Sequence, residues 1–404
     1  MPRRSLRILV IEVHAKAALP VIQSLSKVGF HVVAGSPKRL NSGFFSRYVH
    51  ERVLHPSPRR SKRDFQGWLL DYLKQSDIDM VFPVGGYGTL AVSEIQDEVR
   101  RWSCYLGPGH DVFLRGYSKT STIKAAMRAA VAVPNTWFPN DSVGGVAVVA
   151  QTIQRWPVLV KPSVSSGARG IVWCYSADQL IEAYERVVAE YGEVFVQDFV
   201  PPGRHQYKVD MLVGEKQELL AGIAYGKTRM YPPNGGSSVL NYSANRPDII
   251  KMAYMVLQEL GWIGFCDFDF VDDPRDEAPK LIEINPRFPE SFKIGPAVGI
   301  DFPTLMYDLA HGLEVRPVLE YPENLFLRFL PGDLLWFLRV DKEARRSTWP
   351  SWFKFTGQDL TYQLMSCDDP LPIVGYLLEN AVMVADRSFW TERFRPAGGP
   401  EIRV

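Results

Sequence analysis

The 404-residue chain has few cysteines, no long apolar run and almost no net charge, and each lack excludes a class of protein. Its four cysteines (Cys104, Cys174, Cys266, Cys367) are scattered without a CxxC pair. They read as buried or incidental thiols of a reducing compartment. No stretch approaches the ~18 consecutive apolar residues that span a bilayer. The seven histidines show no HExxH spacing, no GxSxG elbow is present, and no cysteine has a nucleophile's neighbours. Hydrolysis through a covalent enzyme intermediate is therefore poorly supported. With 46 basic against 45 acidic residues the net charge is +1, which argues against a polycation that blankets nucleic acid.

The composition that remains, 46% hydrophobic and 12% aromatic, suits two or three folded domains and excludes a largely disordered chain. The basic start Met1–Arg7 leads into Ile8–Val13, which is short, contains Glu12 and reaches no small-residue cleavage site. A first strand is expected there, not a signal peptide, and a cytoplasmic location with it. Charge is uneven. Residues 1–63 hold 13 basic residues against Glu12 and Glu51, a balance of +11, and the remainder, with 33 basic and 43 acidic, sums to −10.

Apolar periodicity predicts strands at Leu6–Val13, Phe30–Ala34 and Met80–Val84, with helices at Lys16–Val28 and Phe65–Gln75 between them. Strands alternating with helices imply βαβ units and a parallel sheet, which receives ligands at its carboxyl edge. A long helix is expected from Ser118 to Ala130. Beyond it the rhythm changes: strands fit Val158–Lys161, Val194–Gln197, Tyr207–Val213, Gly264–Val271 and Lys280–Ile284, and helices fit Ala177–Tyr191 and Asp248–Leu260. The tail from about Pro317 is rich in Trp, Phe and Pro.

Two constellations carry chemistry. Cys266-Asp267-Phe268-Asp269-Phe270 is followed by Leu281-Ile282-Glu283-Ile284-Asn285-Pro286-Arg287, and paired strands of this alternation bring Asp269, Glu283 and Asn285 onto one face. Two carboxylates and an amide oxygen make a hard-oxygen set suited to Mg²⁺, where a solvated acidic hairpin is the bland alternative. In Trp156-Pro-Val-Leu-Val-Lys161-Pro162 a lysine ends an apolar strand, and the small-residue loop Ser163–Gly170 lets backbone N–H groups approach a phosphate. The alternative there is an ordinary connecting loop. Gly226-Lys227-Thr228 is not a P-loop, because Ala221 stands where its first glycine is required, and Gly85-Gly86-Tyr87-Gly88 is too loose for a dinucleotide fingerprint.

Taken in order over residues 5–315, these features resemble the ATP-grasp superfamily, and within it the carboxylate–amine ligase branch with its carbamoyl-phosphate-synthase-like fold. The branch is suggested by Arg229-Met-Tyr-Pro-Pro-Asn-Gly-Gly236-Ser and by Asp272-Asp-Pro-Arg-Asp276. The resemblance implies an α/β (α+β ATP-grasp) chain. It would comprise a Rossmann-like domain at 1–115, an ATP-grasp domain at 116–315 (lid subdomain 116–200, metal-bearing subdomain 201–315) and a C-terminal extension at 316–404. It implies that Lys119 and Lys161 hold the phosphates of ATP and that the loop Ser165, Ser166, Gly167 to Gly170 closes over them. Gln197, Asp198 and Val200 would form the hinge that meets adenine. Asp269, Glu283 and Asn285 would bind Mg²⁺, two ions being expected and Mn²⁺ an expected substitute. Arg287, assisted by Arg229, would stabilise the transferred phosphoryl group. The sequence departs from the family pattern at Ser118, where aspartate is common, at Gln197-Asp198 in place of Gln-Glu, and at Pro289-Glu290-Ser291, where small residues are common.

The activity implied is ligation of a carboxylate to an amine through an acyl phosphate. A bicarbonate-dependent carboxylase is the second reading and a non-catalytic nucleotide-binding protein the third. The partners expected are small molecules, with no nucleic acid and no membrane, and a homodimer is the assembly considered. The basic run Arg59–Arg63 would attract an acidic substrate or is a solvated surface. Trp336, Trp349, Trp352 and Trp390 of the tail would pack as core, close the acceptor pocket or form a subunit contact.

Overall fold

The computed structural model describes residues 6–165, 167, 169–201, 206–233 and 236–385. Three sheets follow one another along the chain. The first is parallel, in the order β3-β2-β1-β4, from β1 (Arg7–Ile11), β2 (His31–Ser36), β3 (Glu51–Leu54) and β4 (Met80–Pro83). Its inner strands are continuous apolar runs because helices cover both faces. β3 escapes the periodicity argument: it is an edge strand that alternates half-buried and exposed residues. Ser61 explains why the second helix starts at Lys62, since its hydroxyl accepts from the Asp64 N–H.

The second sheet, ordered β5-β8-β6-β7, comprises β5 (Thr136–Trp137), β6 (Val158–Pro162), β7 (Val172–Cys174) and β8 (Val194–Asp198). The helix Ala177–Tyr191, capped by Ser176, covers it. The third sheet is the largest, with seven strands in the order β13-β12-β9-β10-β11-β14-β15. These are β9 (Gln206–Val213), β10 (Leu219–Tyr231), β11 (Ser237–Ala244), β12 (Gly264–Asp272), β13 (Pro279–Asn285), β14 (Phe326–Arg328) and β15 (Leu360–Tyr362). One face of its β9-β12-β13 half, including Val209, Met211, Cys266, Phe268, Phe270 and Ile284, packs with the helices Lys119–Arg128 and Pro247–Leu260. The opposite face is polar and forms the floor of a cleft under the second sheet.

The tail is not a separate appendage. β14 pairs with β11 and β15 with β14, so the unpaired edge of β11 is extended by two strands from beyond residue 316. Trp336 is buried with Val239, Phe329 and Leu364, and Trp352 donates its indole N–H to the Asp333 carbonyl, which is the core reading for both. Trp349 is half exposed, edge-on to Phe326 and Tyr242, and Trp390 lies outside the described residues. The four cysteines are free thiols, and among the described residues no helix is long and apolar enough to cross a membrane.

Candidate active site

The register of the large sheet builds the site. Asp269 pairs with Glu283 and Asp267 with Asn285, so alternate residues of β12 and β13 face the cleft together. On the other side of β12, Asp269 stands opposite Lys208 and Asp267 opposite Asp210. The result is a polar floor on strands whose intervening residues are core. Asn285 Nδ2 lies 3.2 Å from Asp269 Oδ2 and 3.3 Å from Glu283 Oε1, so the three predicted oxygen ligands form one cluster.

The opposite wall comes from the second sheet and the helix Lys119–Arg128. Ser118 caps that helix, its hydroxyl accepting from the Ser121 N–H. Lys119 Nζ then reaches the Ser165 carbonyl at 2.5 Å and lies 3.8 Å from Glu283 Oε2. Lys161 is buried and donates to Gln197 Oε1 at 2.6 Å. Burial lowers its ammonium to about 8, with Glu283 opposing and Lys119 adding to the fall. Asp198 is fixed by Asn135, which donates to its carboxylate and accepts its N–H, so only its carbonyl remains among its backbone groups to meet a ligand.

The cleft between these walls has a volume of about 720 Å³, within the range of small-ligand sites. Lys119, Lys161, Ser165, Gly167, Gln197, Asp198, Val200, Asp269, Glu283, Asn285 and Arg287 all line it. Two expected residues do not. Gly170, at φ +71°, packs where a Cβ would meet Pro162 and the Tyr191 ring, so it serves the turn. Arg229 is buried and turned away from the cleft: its Nε lies 2.7 Å from Asp333 Oδ1, and it donates to Thr348 and to the Pro350 carbonyl. With its guanidinium spent on the tail it cannot assist Arg287, and the expectation that it does is corrected. Ser166 lies outside the described residues.

Sequence reasoning missed Lys208, Lys227 and Asp267, all of which line the cleft. Lys208 Nζ sits 2.7 Å from Asp267 and 2.8 Å from Asp269, and Lys227 Nζ sits 2.5 Å from Asp269. Burial alone would raise the Asp269 carboxyl, but Lys208 and Lys227 outweigh it and hold the group well below the usual carboxylate range. Asp267 and Asp210 move the other way, burial raising both, and Asp210 further feels the Asp267 charge. The signal was available in Lys208-Val-Asp210 and Asp267-Phe-Asp269, two charged pairs at strand spacing on otherwise apolar strands. Lys227 was set aside with the rejected P-loop.

Among the described residues no group of three or more His, Cys, Asp and Glu side chains is arranged to hold a metal ion. The set Asp269, Glu283 and Asn285 nevertheless fits magnesium, which needs only one or two carboxylates when waters and phosphate oxygens complete its shell. The Asn285 amide now turns its nitrogen to the two acids and its oxygen to Arg287, at 3.3 Å. A half-turn of the amide exchanges them.

A family model of the ATP-grasp domain matches residues 117–291. Pyruvate carboxylase of Bacillus subtilis is 25% identical over 232 residues, 54% of this chain and 19% of that enzyme. D-aspartate ligase of Enterococcus faecium is 30% identical over 100 residues, 24% of each chain. The chain thus spans a quarter or less of the length of either relative. The biotin carboxylase domain of Hydrogenobacter thermophilus 2-oxoglutarate carboxylase, solved with MgADP, ADP and bicarbonate, matches with a TM-score of 0.65. That match is 16% identical and covers 80% of this chain and 74% of that one, which shows a shared fold. Residues 117–291 of this chain are an ATP-grasp domain.

Proposed function

We propose that the protein is an ATP-dependent ligase that joins a carboxylate to an amine through an acyl phosphate, releasing ADP and phosphate. The observation that carries this reading is the sheet register that sets Asp269, Glu283 and Asn285, with Arg287 just beyond β13, in one cleft with Lys119 and Lys161. Lys119 and Lys161 hold the phosphates, Ser165 and Gly167 cover them, and Gln197, Asp198 and Val200 receive the adenine. Asp269, Glu283 and Asn285 would hold Mg²⁺, which would neutralise charge on the phosphate oxygens.

A carboxylate oxygen of the substrate attacks the γ-phosphorus, the bond to the β,γ-bridging oxygen breaks, and ADP leaves. The amine lone pair then adds to the acyl carbon, phosphate departs with the bonding pair, and the nitrogen gives up a proton. The chain's contribution is positioning and charge neutralisation. Arg287 faces the phosphoryl group in transfer, where a guanidinium fork matches the phosphate oxygens. Replacing Glu283 by Gln removes one ligand charge and is expected to lower carboxylate-dependent ADP release by ~10²–10³, as removal of other preorganised electrostatic groups does. Release at the wild-type rate would remove the metal assignment.

A carboxylase is the second reading, favoured by the fold shared with a biotin carboxylase domain solved with bicarbonate. A screen of paired carboxylates and amines, with bicarbonate as one member, separates the two. ADP release that needs bicarbonate and no other carboxylate selects the carboxylase.

A further inference from the structure

The Gly85-Gly86-Tyr87-Gly88 turn, which fits no dinucleotide fingerprint, has an occupant of its own. The sheet order β3-β2-β1-β4 sets the carboxyl ends of β1 and β4 side by side, the place where an open parallel sheet receives ligands. Glu12, immediately after β1, fills that place. It is 5% exposed, it adopts φ +64°, which few non-glycine residues do, and its Oε2 accepts the Gly88 N–H at 2.8 Å. A Cβ on Gly85 would stand 2.3 Å from that oxygen and one on Gly88 2.4 Å, so both positions must be glycine for the carboxylate to enter. The third glycine faces the cleft arginine: a Cβ on Gly86 would stand 3.1 Å from Arg287 Cδ. Each glycine of the motif therefore makes room for Glu12 or for Arg287.

We propose that Glu12 is a positioning residue for Arg287, its charge in the leading sheet holding the guanidinium at the phosphoryl-transfer end of the cleft. The inference rests on the ligase reading for the role of Arg287 and extends it to a carboxylate some 275 positions away in sequence. The groups acting on Glu12 are the Gly85 and Gly88 N–H groups from the helix Gly86–Glu94 and Arg287 from the strand end. The neighbouring His14 ring adds no charge, because burial holds it neutral down to about pH 3. Tyr117 and Asp267 also feel the Arg287 charge, and burial keeps the Tyr117 phenol protonated. Burial raises the Glu12 carboxyl to about 7, so its charge, and with it the hold on Arg287, develops as pH passes neutrality.

The test compares wild type, Glu12→Gln and Gly86→Ala, following carboxylate-dependent ADP release from pH 5.5 to 9 and nucleotide affinity by calorimetry. Glu12→Gln is expected to lower kcat by ~10–100-fold, to leave nucleotide Kd within about twofold and to remove the acid limb near pH 7. Gly86→Ala, which crowds Arg287 and leaves Glu12 ionisable, is expected to lower kcat with the acid limb kept. An unchanged kcat and pH profile in Glu12→Gln overturns the proposal. A second readout is independent of turnover: the Arg287 Nε–H resonance, assigned with Arg287→Lys, should titrate near pH 7 in wild type and not in Glu12→Gln. A resonance that ignores Glu12 overturns the coupling. Absence of ADP release from wild type on the whole panel defeats the ligase reading instead, leaving the resonance to decide the coupling.

Discussion

If Glu12 serves the site and not the fold, removing its charge should stabilise the protein at alkaline pH. Burial raises its carboxyl from 4.5 to about 7, against the pull of the Gly88 and Gly85 N–H groups and of Arg287. A carboxyl raised in the folded state favours folding while protonated and opposes it once ionised. The cost is absent below about pH 4.5, grows between 4.5 and 7, and is complete above 7. Its size is roughly 3 kcal/mol, at about 1.4 kcal/mol for each pH unit separating the two states. Glu12→Gln keeps an oxygen for the Gly88 N–H and drops the ionisation. The variant should therefore unfold at higher urea than wild type at pH 8, and the advantage should shrink to under about 1 kcal/mol by pH 5. Urea titrations of both proteins at pH 5, 6.5 and 8, read by tryptophan fluorescence, measure this directly. A variant less stable than wild type at pH 8, or a difference that does not change with pH, would refute the reasoning and make Glu12 an ordinary structural cap.

Asp333 is fully buried between Arg229 and Arg328, so Asp333→Ala leaves two guanidiniums without a counter-charge and should cost about 3–5 kcal/mol, seen as a lowered thermal midpoint. Arg229→Met should lower stability while nucleotide Kd stays within about twofold, and loss of binding would return Arg229 to the cleft. Lys161→Met should weaken ATP by ~10–100-fold in calorimetry while ADP-free folding is retained, since the lost contact is charge-assisted. Gly170→Ala, at φ +71° and against the Tyr191 ring, should fail to express as soluble protein or melt several degrees lower. Chelation with EDTA should abolish ADP release yet leave the thermal midpoint unmoved, because Lys208 and Lys227 already neutralise Asp269.

What could be read from the sequence depended on whether a side chain's surroundings were set locally. β6, β8, β12 and the helix Ala177–Tyr191 were legible because apolar spacing and Ser176 are local facts. Asp269, Glu283 and Asn285 were legible because two neighbouring strands fix one another's register. β10 was not, because near its end, at Lys227-Thr228-Arg229-Met230, its register against β11 shifts, and two charged residues at same-face spacing go to different sides. Lys227 belongs to the cleft and Arg229 to the tail, and only the strands on either side decide which. Arg229 misled for that reason: its partner Asp333 lies 104 positions away. Glu12 was noticed only as an acid that spoils a signal peptide, since its meaning depends on three glycines at the end of another strand.

The near-zero net charge of the whole chain recurs at the scale of the cleft, and there it has a mechanical consequence. Among the described residues five cationic and five acidic side chains line it, so its lining is self-neutralised. Lys208 and Lys227 occupy the carboxylate that is proposed to bind magnesium, and Lys119 stands beside the second one. An incoming metal–nucleotide would therefore exchange partners within a balanced set. As the ion takes Asp269, the phosphates it brings offer the displaced ammonium groups new oxygens at the same place. Metal without nucleotide supplies no such oxygens and would take from Lys227 its Asp269 partner and leave Lys208 with Asp267 alone in a half-buried floor, an arrangement that desolvation penalises. Magnesium alone should then bind weakly and the metal–nucleotide complex tightly, a coupling that calorimetry of each component with and without the other reads as a ratio of affinities. Equal magnesium affinity in the presence and absence of nucleotide would mean that the lysines are not the groups being exchanged.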